Sequence, residues 1–476
     1  MNKPKLNLTM LTDFYELTMA NGYFESDISK NIASFDMFFR RVPDNGGFAI
    51  MAGLEQVIEY LDNLEFTEED IEFLRGKGIF SERFLDYLRN FKFECDVWAV
   101  PEGTPIFPGE PIITVKGPMI QAQFVETMIL LLVNHQSLIA TKANRIVRAA
   151  KGRPVMEFGT RRAHGTAAAV FGARAAYIGG CVGTACTISE RDDGIKALGT
   201  MAHSWVLMFD NEYEAFKAYA EIYPNDCTLL VDTYNVLKSG VPAAIKVFKE
   251  MKPKKMGIRI DSGDVTYLTR KARKMLDEAG LEDCKIVVSN SLDEYIIREV
   301  IMEGACIDSF GVGERLITAK SEPVFGGVYK LSSLEKDGKV IPKIKLSENV
   351  GKITNPGFKS LYRFYDKYTG EVLGDVISLD EEVIPEDNYA IFDENAVWKK
   401  KTLTGYRVRN LREHIFDKGT LIYESPSIEE IRTYCLKEID TLWDEMRRFE
   451  NPQEYYVDLS QGLFDLKRRL IEEHTF

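Results

Sequence analysis

Long hydrophobic runs are missing from these 476 residues. The longest, Met128 to Val133, is far too short to cross a bilayer. The amino-terminal stretch MNKPKLNLTMLTD carries no extended apolar segment of the secretory kind, so a soluble, cytoplasmic protein with no membrane partner is expected. Cysteine is sparse: seven residues, an odd number, are scattered without metal-ligand spacing. Cys181 and Cys186 are too isolated to suggest zinc, and reduced thiols are expected. Positive charge is in deficit, and a net charge of -13 argues against nucleic acid as a partner. It leaves local basic patches for an anionic ligand. There is no Gly-x-Gly-x-x-Gly or Walker stretch, no tandem repeat and no low-complexity linker. What is present is chain enough for a large core and two or three domains.

The pattern that is present is clearest at Lys255 to Asp264, KMGIRIDSGD. Met256, Ile258 and Ile260 alternate as a half-buried strand does, and Asp261, Ser262, Gly263 and Asp264 follow at its carboxyl end. Asp264 is placed to cap a helix in which Leu268, Ala272, Met275, Leu276 and Ala279 recur until Gly280 closes it. A strand ending in carboxylate, hydroxyl and glycine, feeding the amino end of a helix, suits a sugar phosphate. The same change from apolar to polar recurs at VMEFGTRR, LLVDTYN, IVVSNSLDE and IDSFGVGERL. From Leu229 onward these strands start about 20 to 30 residues apart, a spacing that fits βα units and a parallel sheet closed into a barrel. Arg161, Asp232, Asp261, Asn290 and Gly313 would then face one mouth.

Elsewhere the patterns differ. LTDFYELTMANGYF predicts a helix capped by Thr12 or Asp13, with Tyr15 and Tyr23 available for core packing or for a ligand. Ser34 to Arg41 alternates as a strand, Asp44 to Gly47 reads as a turn, and Leu54 to Leu61 begins a helix. Arg40 and Arg41 could meet a phosphate or simply be solvated. CDVWAVPEGTPIFPGEPIITVKGP predicts short strands broken by proline and glycine. Gln121 to Ala150 is helical, with His135 read as a packed residue. After Ile317 the barrel periodicity lapses into hairpins turning at Asp337-Gly338 and Asn355-Pro356-Gly357, with Lys343, Lys345, Lys352 and Lys359 forming the most basic region. Beyond Tyr423, Ile428 to Arg448 and Leu463 to Glu473 read as amphipathic helices. The expected organisation is a β-rich domain from 1–130 and 326–422, a barrel over 131–325 and a helical segment over 423–476.

Five stretches carry chemistry. EFGTRRAHG brings an aromatic ring, a hydroxyl and two guanidinium groups to a strand end, where an arginine fork can hold a carboxylate and a ring can stack on a flat ligand. A structural ion pair is the competing reading. GTMAHSWV holds His203, whose imidazole could be base, phosphate carrier or core residue. In VDTYNV, Asp232 could orient an imidazole through its other ring nitrogen. Asp261 suits ribose hydroxyls and Arg259 suits phosphate or carboxylate. FGVGERL offers a tight turn whose amide groups could approach an anion.

Taken in order, LTDFYELTMANGYF, FGTRRAHG, GTMAHSWV, VDTYN, RIDSGD, SNSLDE, FGVGERL and KLSENVGKITNPGFKSLYR resemble the nicotinate phosphoribosyltransferase family, of the type II phosphoribosyltransferase group. The resemblance implies an α/β fold: an irregular (β/α) barrel beside a smaller α+β domain built from both chain ends. It implies a homodimer with its active site at the interface. It implies transfer of phosphoribosyl from phosphoribosyl pyrophosphate to nicotinate in NAD salvage, with Mg²⁺ present and ATP consumed. By the same resemblance, Phe158 and the partner subunit's Tyr15 sandwich the pyridine ring, and Thr160 and Arg161 meet its carboxylate or a nearby phosphate. Arg259 contacts base or phosphate, Asp261 the ribose hydroxyls, and Gly311 and Gly313 cradle the 5′-phosphate. His203 is the histidine that ATP phosphorylates, and Asp232 positions it. Ser262 and Gly263 are further phosphate candidates, as are Arg40, Lys345, Lys352 and Lys359 reaching across the dimer. Enzymes of the related nicotinamide branch carry an acid in the segment matching Gly183-Thr184-Ala185-Cys186. Ala185 stands there, leaving room for a carboxylate that an aspartate would repel. The alternatives are a nicotinamide phosphoribosyltransferase and a non-catalytic ligand-binding barrel.

Overall fold

The computed structural model describes residues 7–26, 28–394 and 396–474. The first residues of MNKPKLNLTMLTD, on which the leader expectation partly rests, lie outside them. The chain divides into two compact units: one takes in the chain up to Leu138 and from Val324 onward, the other Ile139–Pro323.

The Ile139–Pro323 unit is built on five parallel strands in the order Val155–Glu157, Ser309–Val312, Lys285–Asn290, Met256–Ile260 and Cys227–Leu230. Helices Val241–Met251, Val265–Glu278 and Glu294–Met302 return the chain between the last four, as βα units do. Their start signals are local. Asp264 accepts from the Tyr267 amide at 2.8 Å, Asp293 accepts from the Ile296 amide at 3.0 Å, and Gly280, at φ 74°, follows the end of helix Val265–Glu278. Leu229, Ile258, Ile260, Ile286, Val288, Phe310 and Val312 are fully buried, each such side chain contributing roughly 1.5–3 kcal/mol of burial. Arg259 interrupts that apolar run and is therefore conspicuous.

The hydrogen-bonded ladder does not run full circle among the described residues. Beyond the Val155–Glu157 strand it continues as two isolated parallel bridges, Glu157 with Thr184 and Thr184 with Ala197. From Ala197 the chain runs toward the other end of the sheet, where side chains reach its last two strands and the residues that follow them. Arg259 donates to Thr200 Oγ1 at 2.6 Å, and His203 Nδ1 lies 3.1 Å from Thr233 Oγ1. The barrel is irregular in this concrete sense.

The other unit holds a seven-stranded sheet in which Ile32–Phe39 lies between Gly327–Lys336 and Ile113–Pro118, both antiparallel to it. That strand does not alternate as expected. Its middle is buried on both faces, and its Asp36 is satisfied by Thr114 Oγ1 and Lys359 Nζ, each at 2.7 Å. A four-stranded sheet follows, in which the fully buried Arg363 forks onto Asp375. The Asp337-Gly338 turn closes the hairpin Gly327–Lys336 with Lys339–Pro342, both residues at positive φ.

Several elements depart from the sequence reading. Helix Phe14–Glu25 has Asp13 at its N-cap position, but no side chain caps it; Thr12 Oγ1 donates instead to Glu16. Helices Glu68–Gly76 and Glu82–Arg89 were not anticipated, although Thr67 with Asp70 forms a capping box and Ser81 caps the second. The predicted helix to Arg448 stops at Asp440, because the Thr441 carbonyl is taken by the Val372 amide at 3.0 Å. The carboxyl-terminal helices, Ile428–Asp440 and Gln461–His474, belong to the same unit as the amino-terminal part of the chain. The run Met128–Val133 lies inside a helical stretch, Met119–Ala149, that is long and apolar enough to cross a membrane by length and composition, yet 67% of its most apolar window is buried inside the protein.

Candidate active site

The carboxyl ends of the parallel strands gather the chemistry-bearing residues of the Ile139–Pro323 unit. Phe158, one residue past its strand, donates its amide to Val312 at 2.8 Å, which fixes the ring beside the neighbouring strand end. A Cβ at Gly311 would lie 2.5 Å from Phe158 Cδ2 and 2.6 Å from Cε2, so the ring occupies the space that a side chain there would need. Gly311 is thus a seat for the aromatic ring. The expected phosphate cradle is not visible in that contact. Gly313 heads the short helix Glu314–Ile317, and a Cβ there would reach 3.0 Å from the Phe158 carbonyl oxygen.

Beside the ring, Thr160 Oγ1 is buried and hydrogen-bonds to nothing among the described residues, while Arg161 is exposed. A buried hydroxyl without a partner is costly unless a ligand supplies one. Arg161 sits close enough to Arg259 for the two guanidinium charges to oppose each other, and Arg259 is held below the usual arginine range, first by burial. Asp261 and Asp232 counter both effects. Two cations facing a common space with one unpaired nitrogen, Arg259 Nε, make a receptive place for an anion.

Three acids organise the rim. Glu157 is buried, which pushes its carboxyl group up, and it ties the Thr184 hydroxyl (2.6 Å) and the Gly159 amide to the strand end. Asp261 is fixed by Ser289 Oγ at 2.5 Å, its side chain otherwise on the open rim. Asp232, with a side chain 1% exposed, accepts through Oδ2 from the Asp261 amide at 3.0 Å and from Ser262 Oγ at 2.6 Å. Its Oδ1 is buried, unpartnered, and 4.0 Å from His203 Nε2. That separation is beyond a hydrogen bond, so the expectation that Asp232 directly orients the imidazole needs correction. Thr233 contacts the other ring nitrogen instead, and the imidazole is 41% exposed.

Thr233, Thr200 and Ser289 are the positioning residues that the sequence reading passed over. Each lies within a stretch already singled out, one to three residues from a named group, and only the fold shows which hydroxyl faces the rim. Gly263 follows Ser262 at φ 84° and lines a cavity with it.

The remaining candidates lie in the other unit. Tyr15 is 44% exposed, so it does not serve core packing; partial burial and Glu126 hold its phenol above the ordinary range. Arg40 lines a cavity of about 610 Å³ together with Asp36, Lys359, Lys467 and Arg468, with its Nε unpartnered. Lys345 and Lys352 are exposed. Lys359 is not an open phosphate ligand: it is buried, paired with Asp36, and donates to the Asn355 and Gly357 carbonyls at 2.9 and 2.6 Å.

Comparison with known proteins bears on the whole chain. Family models match residues 10–134 (nicotinate phosphoribosyltransferase N-terminal domain), 154–363 (nicotinate phosphoribosyltransferase family) and 358–467 (nicotinate phosphoribosyltransferase C-terminal domain). A nicotinate phosphoribosyltransferase of Bacillus subtilis is 43% identical over 98% of this chain and 96% of its own length. The human protein of that name is 30% identical over 95% of each chain. The crystal structure of human nicotinic acid phosphoribosyltransferase superposes with a TM-score of 0.85 at 29% identity, covering 97% of this chain and all of that one. With the strand-end constellation above and matches that span nearly its full length, the chain belongs to the nicotinate phosphoribosyltransferase family.

Proposed function

We propose that this rim transfers the phosphoribosyl group of phosphoribosyl pyrophosphate to nicotinate, giving nicotinate mononucleotide and pyrophosphate for NAD biosynthesis. The observation that carries the reading is the seat formed by Gly311 under Phe158, flanked by the unpaired Thr160 hydroxyl and by Arg161. It offers a stacking face, a hydrogen-bond donor and a cation to one flat carboxylate. The pyridine nitrogen lone pair forms the bond to C1, and the C1–O bond breaks with its electrons leaving on pyrophosphate. Asp261, braced by Ser289, accepts from ribose hydroxyls, and Arg259 and Arg161 offset the negative charge. Positioning supplies most of the rate, since no covalent intermediate is required.

ATP enters through His203. An imidazole nitrogen attacks the γ-phosphorus, the bond to the bridging oxygen breaks, and ADP departs with that electron pair. Asp232 Oδ1, buried and unpartnered at 4.0 Å, is placed to stabilise the cation that results. The new phosphoryl charge lies on the same rim and biases binding and release of pyrophosphate. Mg²⁺ bound with the substrate phosphates would neutralise part of their charge. Among the described residues no three His, Cys, Asp or Glu groups cluster to hold it, and Asp232 and Asp261 are the rim carboxylates that would meet it. The active protein is a homodimer in which Tyr15 of one subunit covers the ring bound by the other.

Nicotinamide is the second reading. Ala185, exposed beside the Val155–Glu157 strand end, to whose Glu157 carbonyl its amide donates at 2.8 Å, carries no acid to accept from an amide NH₂. Pyrophosphate release from phosphoribosyl pyrophosphate, measured with each base in turn, tests the choice. Release with nicotinate but not nicotinamide is expected; equal release overturns the specificity, and none with either leaves a binding barrel.

A further inference from the structure

We propose that Glu157 is a positioning residue for the base: its buried carboxylate clamps the two segments that flank the seat for nicotinate, residues 158–160 and 183–186, and so sets the fit of the ring between them. The proposal rests on the reading of Phe158 and Ala185 as walls of that seat. Glu157 ends the Val155–Glu157 strand and is fully buried. Its Oε1 accepts from the Gly159 amide, and its Oε2 accepts from Thr184 Oγ1 at 2.6 Å. The first bond closes the turn that carries the Phe158 ring, the unpaired Thr160 hydroxyl and, one residue further, Arg161. The second holds the loop that carries Ala185.

Two observations separate this arrangement from ordinary core packing. Backbone bonds already join the segments, since the Glu157 amide donates to the Gly183 carbonyl at 3.0 Å and the Ala185 amide to the Glu157 carbonyl at 2.8 Å. An apolar side chain would therefore keep the pairing without burying a charge, and burial does push this carboxyl group up. Both oxygens of that costly group are directed to the segments beside the base. Thr184, itself fully buried, relays the tie: its Oγ1 accepts from the Cys186 amide at 2.9 Å while donating to Glu157. The segments are also seated without slack. A Cβ at Gly159 would lie 2.5 Å from Ile317 Cβ, and one at Gly183 would lie 2.6 Å from the Lys196 carbonyl oxygen. With neighbours packed that closely, a group with two acceptors at fixed separation is what sets the last adjustment of the turn against the loop.

The experiment is steady-state transfer by the full-length protein, with nicotinate, nicotinamide and phosphoribosyl pyrophosphate varied in turn, in Glu157→Gln, Thr184→Val and Thr184→Ser. Glutamine presents one acceptor and one donor where two acceptors are needed, valine keeps the shape of threonine without its hydroxyl, and serine keeps the hydroxyl. The Gln and Val variants should raise the KM for nicotinate by about tenfold or more, the factor that a lost hydrogen bond to a charged group supplies, and narrow the discrimination against nicotinamide. The KM for phosphoribosyl pyrophosphate should stay within about twofold, and Thr184→Ser should retain nicotinate use near the unaltered level. An unchanged KM for nicotinate in Glu157→Gln overturns the proposal, as does an equal rise in the KM of both substrates, which would make Glu157 a general prop of the strand end. Should Thr184→Val fail to fold, the contrast between Glu157→Gln and Thr184→Ser decides in the same way. If the unaltered protein transfers to neither base, the reading of the seat falls and this role with it, a result distinct from transfer that ignores Glu157.

Discussion

At Gly311 a hydrogen stands where any other residue would put a carbon 2.5 Å from the Phe158 ring. Gly311→Ala should therefore raise the KM for nicotinate by displacing the ring, and cost about 1–3 kcal/mol by overpacking, read from steady-state kinetics and urea unfolding. This purpose was not legible in FGVGERL, because the contact joins residues far apart in the chain, and a Gly-x-Gly pair reads locally as a turn for an anion. Asp261 and Arg259 were legible, because charged groups at the end of an apolar strand have few structural reasons to be there. His203→Ala should abolish ATP hydrolysis and its coupling while slow transfer persists; full hydrolysis by the variant would remove His203 from its role. Glu16 carries a prediction of a different kind. It is buried, which pushes its carboxyl group up to about 7 despite hydrogen bonds from Thr12 and Thr127. The native state keeps this proton after the unfolded state has released it, so stability falls as pH rises from about 4.5 to 7. Glu16→Gln should lose about 2–3 kcal/mol less than the parent protein between pH 5 and pH 8 in urea unfolding.

At the scale of elements, the strand-to-loop transitions were readable and the ties between loops were not. Asp293, at the cap of helix Glu294–Met302, pairs with Arg315 from the loop after the next strand. The following residue, Glu294, is fully buried and receives Lys142 at 2.8 Å and Arg145 at 2.8 Å, while Lys142 also donates to Ser321 at 2.8 Å. One helix start thereby fixes two consecutive loops of the rim. Glu294→Ala would leave two cations buried without their carboxylate and should cost about 3–5 kcal/mol, seen as a lowered unfolding midpoint. No sequence pattern reports such a triad, since the acid lies 152 and 149 residues from its two cations. The opposite error occurred at Ile428 to Arg448, where apolar spacing persists but the Thr441 carbonyl is bonded to a strand and the helix ends early. Helices Glu68–Gly76 and Glu82–Arg89 carried good capping signals that were overlooked beside the proline and glycine of the stretch that follows.

For the molecule as a whole, the chain joins its first unit again from Val324 onward, and the sequence changes there from βα spacing to hairpins. The proposed homodimer allows a sharper test than size alone. If Tyr15 serves the partner's site, coexpression of Tyr15→Ala chains with His203→Ala chains should yield mixed dimers in which one site is intact. Nicotinate-stimulated ATP hydrolysis should then return to about a quarter of the unaltered level, whereas each variant alone stays inactive. No recovery would place Tyr15 and His203 in the same site of one subunit. The parallel sheet adds one more property. Its backbone weave stops between Ala197 and Cys227, and the Thr200–Arg259 and His203–Thr233 contacts stitch the opening shut. One of the side chains that fasten this hoop is the imidazole proposed to receive phosphate. If that imidazole is charged with phosphate, the new charge falls on the thread itself, so the place where side chains join the two ends of the sheet and the proposed chemical switch are one.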